Sequence, residues 1–188
     1  MTTDVLKKGG RTASGNIITP QFRVSYPYVF KPAKPMQDGA EPKYSIVMLF
    51  ESDSDLALLK AAAQEAVKEK WGDKPPKGLR SPFRDQGEKD GAGYVEGNVF
   101  VSASSKQKPG LIDSKNADIM DESDFYAGCW ARATVRAYAY DASGNRGVAF
   151  GLQNVQKLKD DEPLGAGRAK ASSEFEPVDA GGGEDPFA

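Results

Sequence analysis

The chain has 188 residues, 39% of them apolar and 28% charged, with 20 Gly, 12 Pro, one Cys and no His; that is enough for one ordinary core and too short for two. Without histidine, Ser-His-Asp triads and most zinc sites are excluded, and the lone Cys129 supplies neither an internal disulfide nor a thiolate cage. No run approaches 18 apolar residues and the start MTTDVLKKGGRTASG lacks the apolar stretch of a signal peptide, so a soluble cytosolic protein without a membrane partner is expected.

In chain order, residues 1–15 read as a flexible basic segment, with Lys7, Lys8 and Arg11 among glycines and polar residues. NIITPQFRVSYPYVF (16–30) and KYSIVMLF (43–50) carry the β-branched and aromatic residues of strands. A helix is predicted from about Asp55 to Trp71, rich in Ala and Glu and stopped by Gly72. Its spacing puts Leu56, Leu59, Ala63, Val67 and Trp71 on a core stripe, with Lys60, Gln64, Lys68 and Lys70 toward water. Residues 72–93 form a long loop rich in Pro, Gly and basic residues, and a loop longer than about 12–15 residues is more often functional than accidental. Three further strands follow at 94–104, 125–140 and 147–158, the last two joined by the hairpin-like DASGNRG. Five strands and one inserted helix indicate a mainly β fold, an OB-fold-like five-stranded Greek-key barrel spanning 16–164. Residues 165–188 read as a disordered linker and acidic tail.

The stretch WARATVRAYAY decides where a ligand would sit. Counted in twos, Ala131, Ala133, Val135, Ala137 and Ala139 share one face, while Trp130, Arg132, Thr134, Arg136, Tyr138 and Tyr140 share the other. A plain half-buried strand turns its large apolar groups inward, so an outward face of rings and guanidinium groups fits a flat anionic ligand. Single-stranded nucleic acid is one, since rings stack on bases and Arg or Lys neutralises phosphate. The competing structural reading packs these rings under the helix or loops, with the arginines snorkelling at the edge. Basic and aromatic residues meet again in FRVSYPYVFKPAKP, in GLRSPFR, where Phe83 stands between Arg80 and Arg84, and in SSKQKPG, with Lys106 and Lys108. The candidate DNA-binding residues are therefore Trp130, Arg132, Arg136, Tyr138, Tyr140, Arg80, Phe83, Arg84, Lys106 and Lys108, with no metal and no cofactor.

Charge is divided along the chain. Beyond Ala171 stand five acids, Glu174, Glu176, Asp179, Glu184 and Asp185, with no Lys or Arg; removing five from 27 acids leaves 22 against 25 bases, so residues 1–170 carry +3. The end EDPFA places Phe187 beside Glu184, Asp185 and Pro186. A flexible anionic tail of this kind competes with DNA for a basic groove and offers a ring to a partner pocket.

YPYVFKP, the long stretch AGCWARATVRAYAYDASGNRGVAFGLQNVQKLKDDEPLG, and the acidic end with its penultimate phenylalanine together make the chain resemble a family of phage-encoded single-stranded DNA-binding proteins once known only as a domain of unknown function. The resemblance implies an OB-fold that coats single-stranded DNA in phage replication, recombination or repair in the host cytoplasm, without catalysis. It further implies replication or recombination proteins as partners of the tail. Two alternatives stay open on the residues alone. A metal-dependent nuclease would use Asp113, Asp118, Asp121, Glu122 and Asp124, and a protein-only adaptor would show no salt-dependent DNA affinity.

Overall fold

A computed structural model describes residues 3–35, 37–165 and 174–178. The barrel is built from β3 (Phe22–Ala33), β4 (Lys43–Leu49), β6 (Val99–Ser105), β8 (Trp130–Ala142) and β9 (Asn145–Lys159). These run β8-β3-β4-β6-β9, and β9 pairs back with β8 to close an OB-like ring. Within it the β6–β9 pairing is parallel and the others antiparallel. Closure removes the sheet edges of these five strands, which are the five expected from alternation.

Four short strands complete the sheet: β1 (Gly10–Arg11), β2 (Ile17–Ile18), β5 (Arg84–Asp85) and β7 (Gly110–Ile112). The N-terminal segment, expected to be loose, is tied down. It forms α1 (Thr3–Lys8), β1 pairs with β2, and β2 pairs with β8. Gly9 makes this path possible, because at φ +67° a Cβ would stand 2.1 Å from the Ile18 carbonyl oxygen. Lys7 forms an ion pair with Asp53, and its carbonyl accepts from the Asp55 N–H at 2.9 Å.

The barrel interior is filled by Phe22, Val24, Ile46, Met48, Val101, Ala103, Ala131, Ala133, Val135, Phe150 and Leu152, all buried. Helix α2 (Ala57–Trp71) covers β8 and β9. Asp55 Oδ1 accepts from the Ala57 N–H at its start, and Gly72 at φ +67° ends it by donating to the Lys68 carbonyl. The stripe differs from the expected one: Leu59, Ala62, Ala63 and Ala66 are the buried residues, whereas Val67 and Trp71 are half-buried. Alanines at 62 and 66 let the axis sit close to the barrel, which rotates the larger side chains toward the margin. Cys129 is buried, and burial pushes its thiol pKa up, away from a nucleophile.

The long loop after α2 is pinned rather than irregular. Arg84–Asp85 pairs with β6, and a 3-10 turn follows at Gln86–Glu88. Asp85 Oδ1 accepts from the Gly87 and Gly97 N–H groups at 2.7 and 3.0 Å. Gln86 is buried beneath it, and the turn covers one end of the barrel's outer surface, where Leu49 and Phe100 lie buried outside the main core.

Candidate nucleic-acid interface

The alternation along β8 holds. Ala131, Ala133 and Val135 are buried, Trp130, Arg132 and Thr134 are half-buried on the opposite face, and Arg136 and Tyr138 are exposed there. That outer face is divided in two. In its first half, Trp130 donates its indole N–H to Asp161 Oδ2 at 2.8 Å, Lys159 Nζ lies 5.3 Å from the ring centre, and Arg132 Nε donates to Gln156 Oε1 at 2.7 Å. The Trp130 hydrogen bond is also the main reason why the Asp161 carboxyl is held below its usual range. In the second half, Arg136, Tyr138 and Tyr140 stand over small neighbours on β9: Gly151, Ala149 and Gly147 respectively.

Register extends this half across the barrel. Arg136 pairs with Gly151, Gly151 with Ser104, Ser104 with Ser45, and Ser45 with Tyr28. Directly paired residues share a face of the sheet, so a guanidinium and a phenol ring end one row whose floor is glycine and two serines. Four strand spacings of about 4.8 Å make this row about 19 Å long, followed around the barrel's outer surface. Beside it, Val47 pairs with Ser102, which is exposed. The result is a shallow trough with a low, uncharged floor and aromatic and cationic rims.

The other expected residues scatter. Arg80 joins the open half, since its backbone bonds to Arg146 and Val148 and, because Gly147 has no side chain, Arg80 and the Tyr140 hydroxyl both approach that position. Lys108 lies 6.0 Å from the Phe30 ring centre on the β3 side, and Lys106 pairs with Glu41 at 2.9 Å, each lysine exposed. Arg84 is engaged by Glu88 at 2.6 Å and lies 5.1 Å from the Phe100 ring. Phe83 turns inward, edge-on to Phe150 with ring centres 5.9 Å apart, and lines a groove against α2. Trp130, Arg132, Arg84 and Phe83 are thus occupied by contacts within the fold, and Arg136, Tyr138, Tyr140 and Arg80 are brought together. Glu184, Asp185, Pro186 and Phe187 lie outside the described residues.

Alternation along β8 missed the far rim, Tyr26 and Tyr28, which are 58% and 44% exposed. Their motif YPYVFKP was visible as an aromatic and basic cluster, but the side chains' common outward aim depends on an irregularity in β3. The acidic loop behaves as a set of turn caps. Asp113 Oδ1 accepts from the Lys115 and Ala117 N–H groups and Asp121 Oδ1 from Ser123, bonds that hold both carboxyls below their usual range. Among the described residues no group of three or more His, Cys, Asp or Glu side chains is placed to share a cation, and no helix is long and apolar enough to cross a membrane.

Residues 15–185 match the family described as the ssDNA-binding protein of Enterobacter phage Enc34. Putative protein p50 of Acyrthosiphon pisum secondary endosymbiont phage 1 is 30% identical over 165 residues, which cover 82% of this chain and 89% of that one. Among solved structures, the single-stranded DNA-binding protein from bacteriophage Enc34 in complex with ssDNA is similar with a TM-score of 0.70 and 26% identity, over 85% of this chain and 94% of that chain. The single-stranded DNA-binding protein gp2.5 of bacteriophage T7 shares the fold, with a TM-score of 0.54 and 16% identity over 89% and 98% of the two chains.

Proposed function

Because the chain belongs to the Enc34-type family of phage single-stranded DNA-binding proteins, we propose that it binds and shields single-stranded DNA without catalysis, along the trough between Tyr28 and Arg136. The observation that carries this reading is the row Tyr28–Ser45–Ser104–Gly151–Arg136. Its small floor lets a strand lie close to the sheet, Tyr138 and Tyr28 offer faces for stacking, and Arg136 and Arg80 offer charge to phosphates. A duplex has its bases already stacked and cannot use the rings in this way, so preference for the single strand is built into the chemistry.

The acidic end is the second part of the reading. Glu184 and Asp185 compete with DNA for the basic body, and Phe187 offers a ring to replication or recombination proteins. Burying that ring contributes roughly 1.5–3 kcal/mol, enough for a transient contact that basic residues around the partner's pocket would strengthen. The setting is phage replication and recombination in the host cytoplasm. The test is a fluorescence-anisotropy titration of labelled oligo-dT, single-stranded and as a duplex with oligo-dA, at two salt concentrations. Tight, salt-sensitive binding of the single strand is expected; no binding to either at low salt rejects the reading in favour of a protein-only adaptor.

A further inference from the structure

The 25–28 stretch of β3 departs from the strand beside it. Ser25 pairs with Val47 and Tyr28 with Ser45, so three steps on β3 oppose two on β4 and one residue is extra. Tyr26 sits in this bulge at φ +44°, in the left-handed region where glycine is the ordinary occupant. The chain keeps an aromatic ring at a position whose backbone favours none, and that ring is largely exposed.

Across from it runs the 91–94 turn, and the two enclose a cleft of about 370 Å³ whose lining includes Tyr26, Tyr28, Tyr94, Gly91, Ala92 and Leu164. The Tyr94 hydroxyl shares a 2.9 Å hydrogen bond with Ser25 Oγ, and its ring packs edge-on to Phe100 at 6.1 Å, so one wall is fixed from behind. Among the described residues, none of the lining carries a formal charge. Past Pro27 and Tyr28 the surface continues into a second hollow of net positive charge, lined by Lys31 and Lys34 with Glu122 at 3.9 Å from the Lys31 amine, an exposed and loose pair that a phosphate would displace. A phosphate alone would find no cation among the described residues of the first recess. An uncharged aromatic recess next to a cationic one has the layout of a nucleotide, base in one and phosphate at the other.

We infer that the Tyr26–Tyr28–Tyr94 cleft takes one nucleobase of the bound strand, unstacked from its neighbours, with the adjoining phosphate against Lys31 and Lys34. This deepens the single-stranded DNA reading and rests on it. Tyr26→Gly separates the ring from the backbone strain: it removes the stacking face and relaxes the left-handed residue. The full-length chain and this variant are titrated with labelled oligo-dT, and each is photo-crosslinked to the same oligonucleotide carrying 5-iododeoxyuridine, with the attachment sites read by peptide mass spectrometry. Expected are crosslinks at Tyr26 or Tyr94 in the parent, and an affinity about tenfold weaker in Tyr26→Gly with a melting temperature equal to or above the parent's. Undiminished affinity of a folded Tyr26→Gly, or crosslinks confined to β8 and β9, overturns the cleft as a base site and leaves the trough standing. Failure of the parent chain to bind the oligonucleotide at low salt overturns both.

Discussion

Trp130 donates its indole N–H to the Asp161 carboxylate over 2.8 Å, while Lys159 lies 5.3 Å from the same ring centre. A residue expected from alternation to stack on a base is thereby held against the chain's own segment after β9. The bond ties Trp130 to acid stability. The Asp161 carboxyl is lowered in the fold, first by this hydrogen bond; a depressed carboxyl stabilises at pH values above its unfolded pKa, and that contribution is lost as pH falls through the folded value. Trp130→Phe keeps a ring and removes the donor. It is expected to cost at most about 1 kcal/mol at pH 7, since the partner is exposed, and to lose less stability than the parent between pH 7 and values below about 4, as read by urea denaturation at each pH. A parallel fall in both proteins would detach Asp161 from the acid response.

Arg136 and Tyr138 are exposed on the open half of the same face, so their removal leaves the core intact. Tyr138→Ala is expected to weaken single-strand binding by about 1–3 kcal/mol at unchanged melting temperature. Arg136→Ala is expected to lower the magnitude of the slope of log affinity against log salt by about 0.7 if it neutralises one phosphate. Anisotropy titrations over a salt series separate the two effects. An unchanged slope in Arg136→Ala would take this guanidinium off the backbone path.

Gly151 tests the floor of the trough independently of charge. A Cβ built there meets the Arg136 carbonyl oxygen at 3.6 Å and Tyr138 Cε1 at 4.0 Å, ordinary contacts that the strand tolerates. Gly151→Ala is therefore accommodated, whereas the longer side chain of Gly151→Leu rises between Ser104 and Arg136 where a strand would lie; an unchanged melting temperature for each variant is the control. Oligo-dT affinity is expected to fall at least tenfold while Gly151→Ala stays close to the parent; equal binding by Gly151→Leu would show that DNA does not cross this row.

Gln86 holds the loop that covers Leu49 and Phe100. Its amide nitrogen donates to the Phe50 and Val99 carbonyls at 3.0 and 2.9 Å, and its oxygen accepts from the Val95 N–H at 2.9 Å. Gln86→Leu preserves bulk and removes this partner from the Phe50 carbonyl and the Val95 N–H, while the Val99 carbonyl still accepts from the Phe50 N–H at 3.0 Å; the cost is about 1–3 kcal/mol for each group left unpaired that water cannot reach. A drop in melting temperature of several degrees is expected, together with faster hydrogen exchange at Val95.

These positions also mark how far periodicity reaches. The five barrel strands and α2 were legible because each is long enough to repeat its pattern, twofold for strands and near fourfold for the helix. Gly10–Arg11, Arg84–Asp85 and Gly110–Ile112 are too short to show any period and exist only through their partners. Within the interface, the face of β8 followed from counting in twos, but the occupation of Trp130 by Asp161 and of Arg132 by Gln156 depends on residues 24 or more positions away. The opposite rim was hidden by the bulge at Tyr26: three steps apart, Ser25 and Tyr28 would fall on opposite faces of a regular strand, and the inserted residue brings both to the outer one.

The tail supplies the last prediction. Residues 1–170 carry +3 and the end of the chain carries only acids, so the two attract, and any site on the body occupied by the tail is closed to phosphates. Removing Ser173–Ala188 is expected to tighten oligo-dT binding, with the gain greatest at low salt and fading as the Debye length falls to about 10 Å at 0.1 M. The truncated chain should also show a steeper salt dependence, because phosphates no longer displace a covalently attached competitor. Substituting Phe187→Ala alone separates the two roles proposed for the tail: it leaves every acid in place, so DNA affinity should stay with the parent while capture of a replication or recombination protein through the ring is lost. Equal affinity of full-length and truncated chains at low salt would sink the competition and leave the ring as the tail's remaining function.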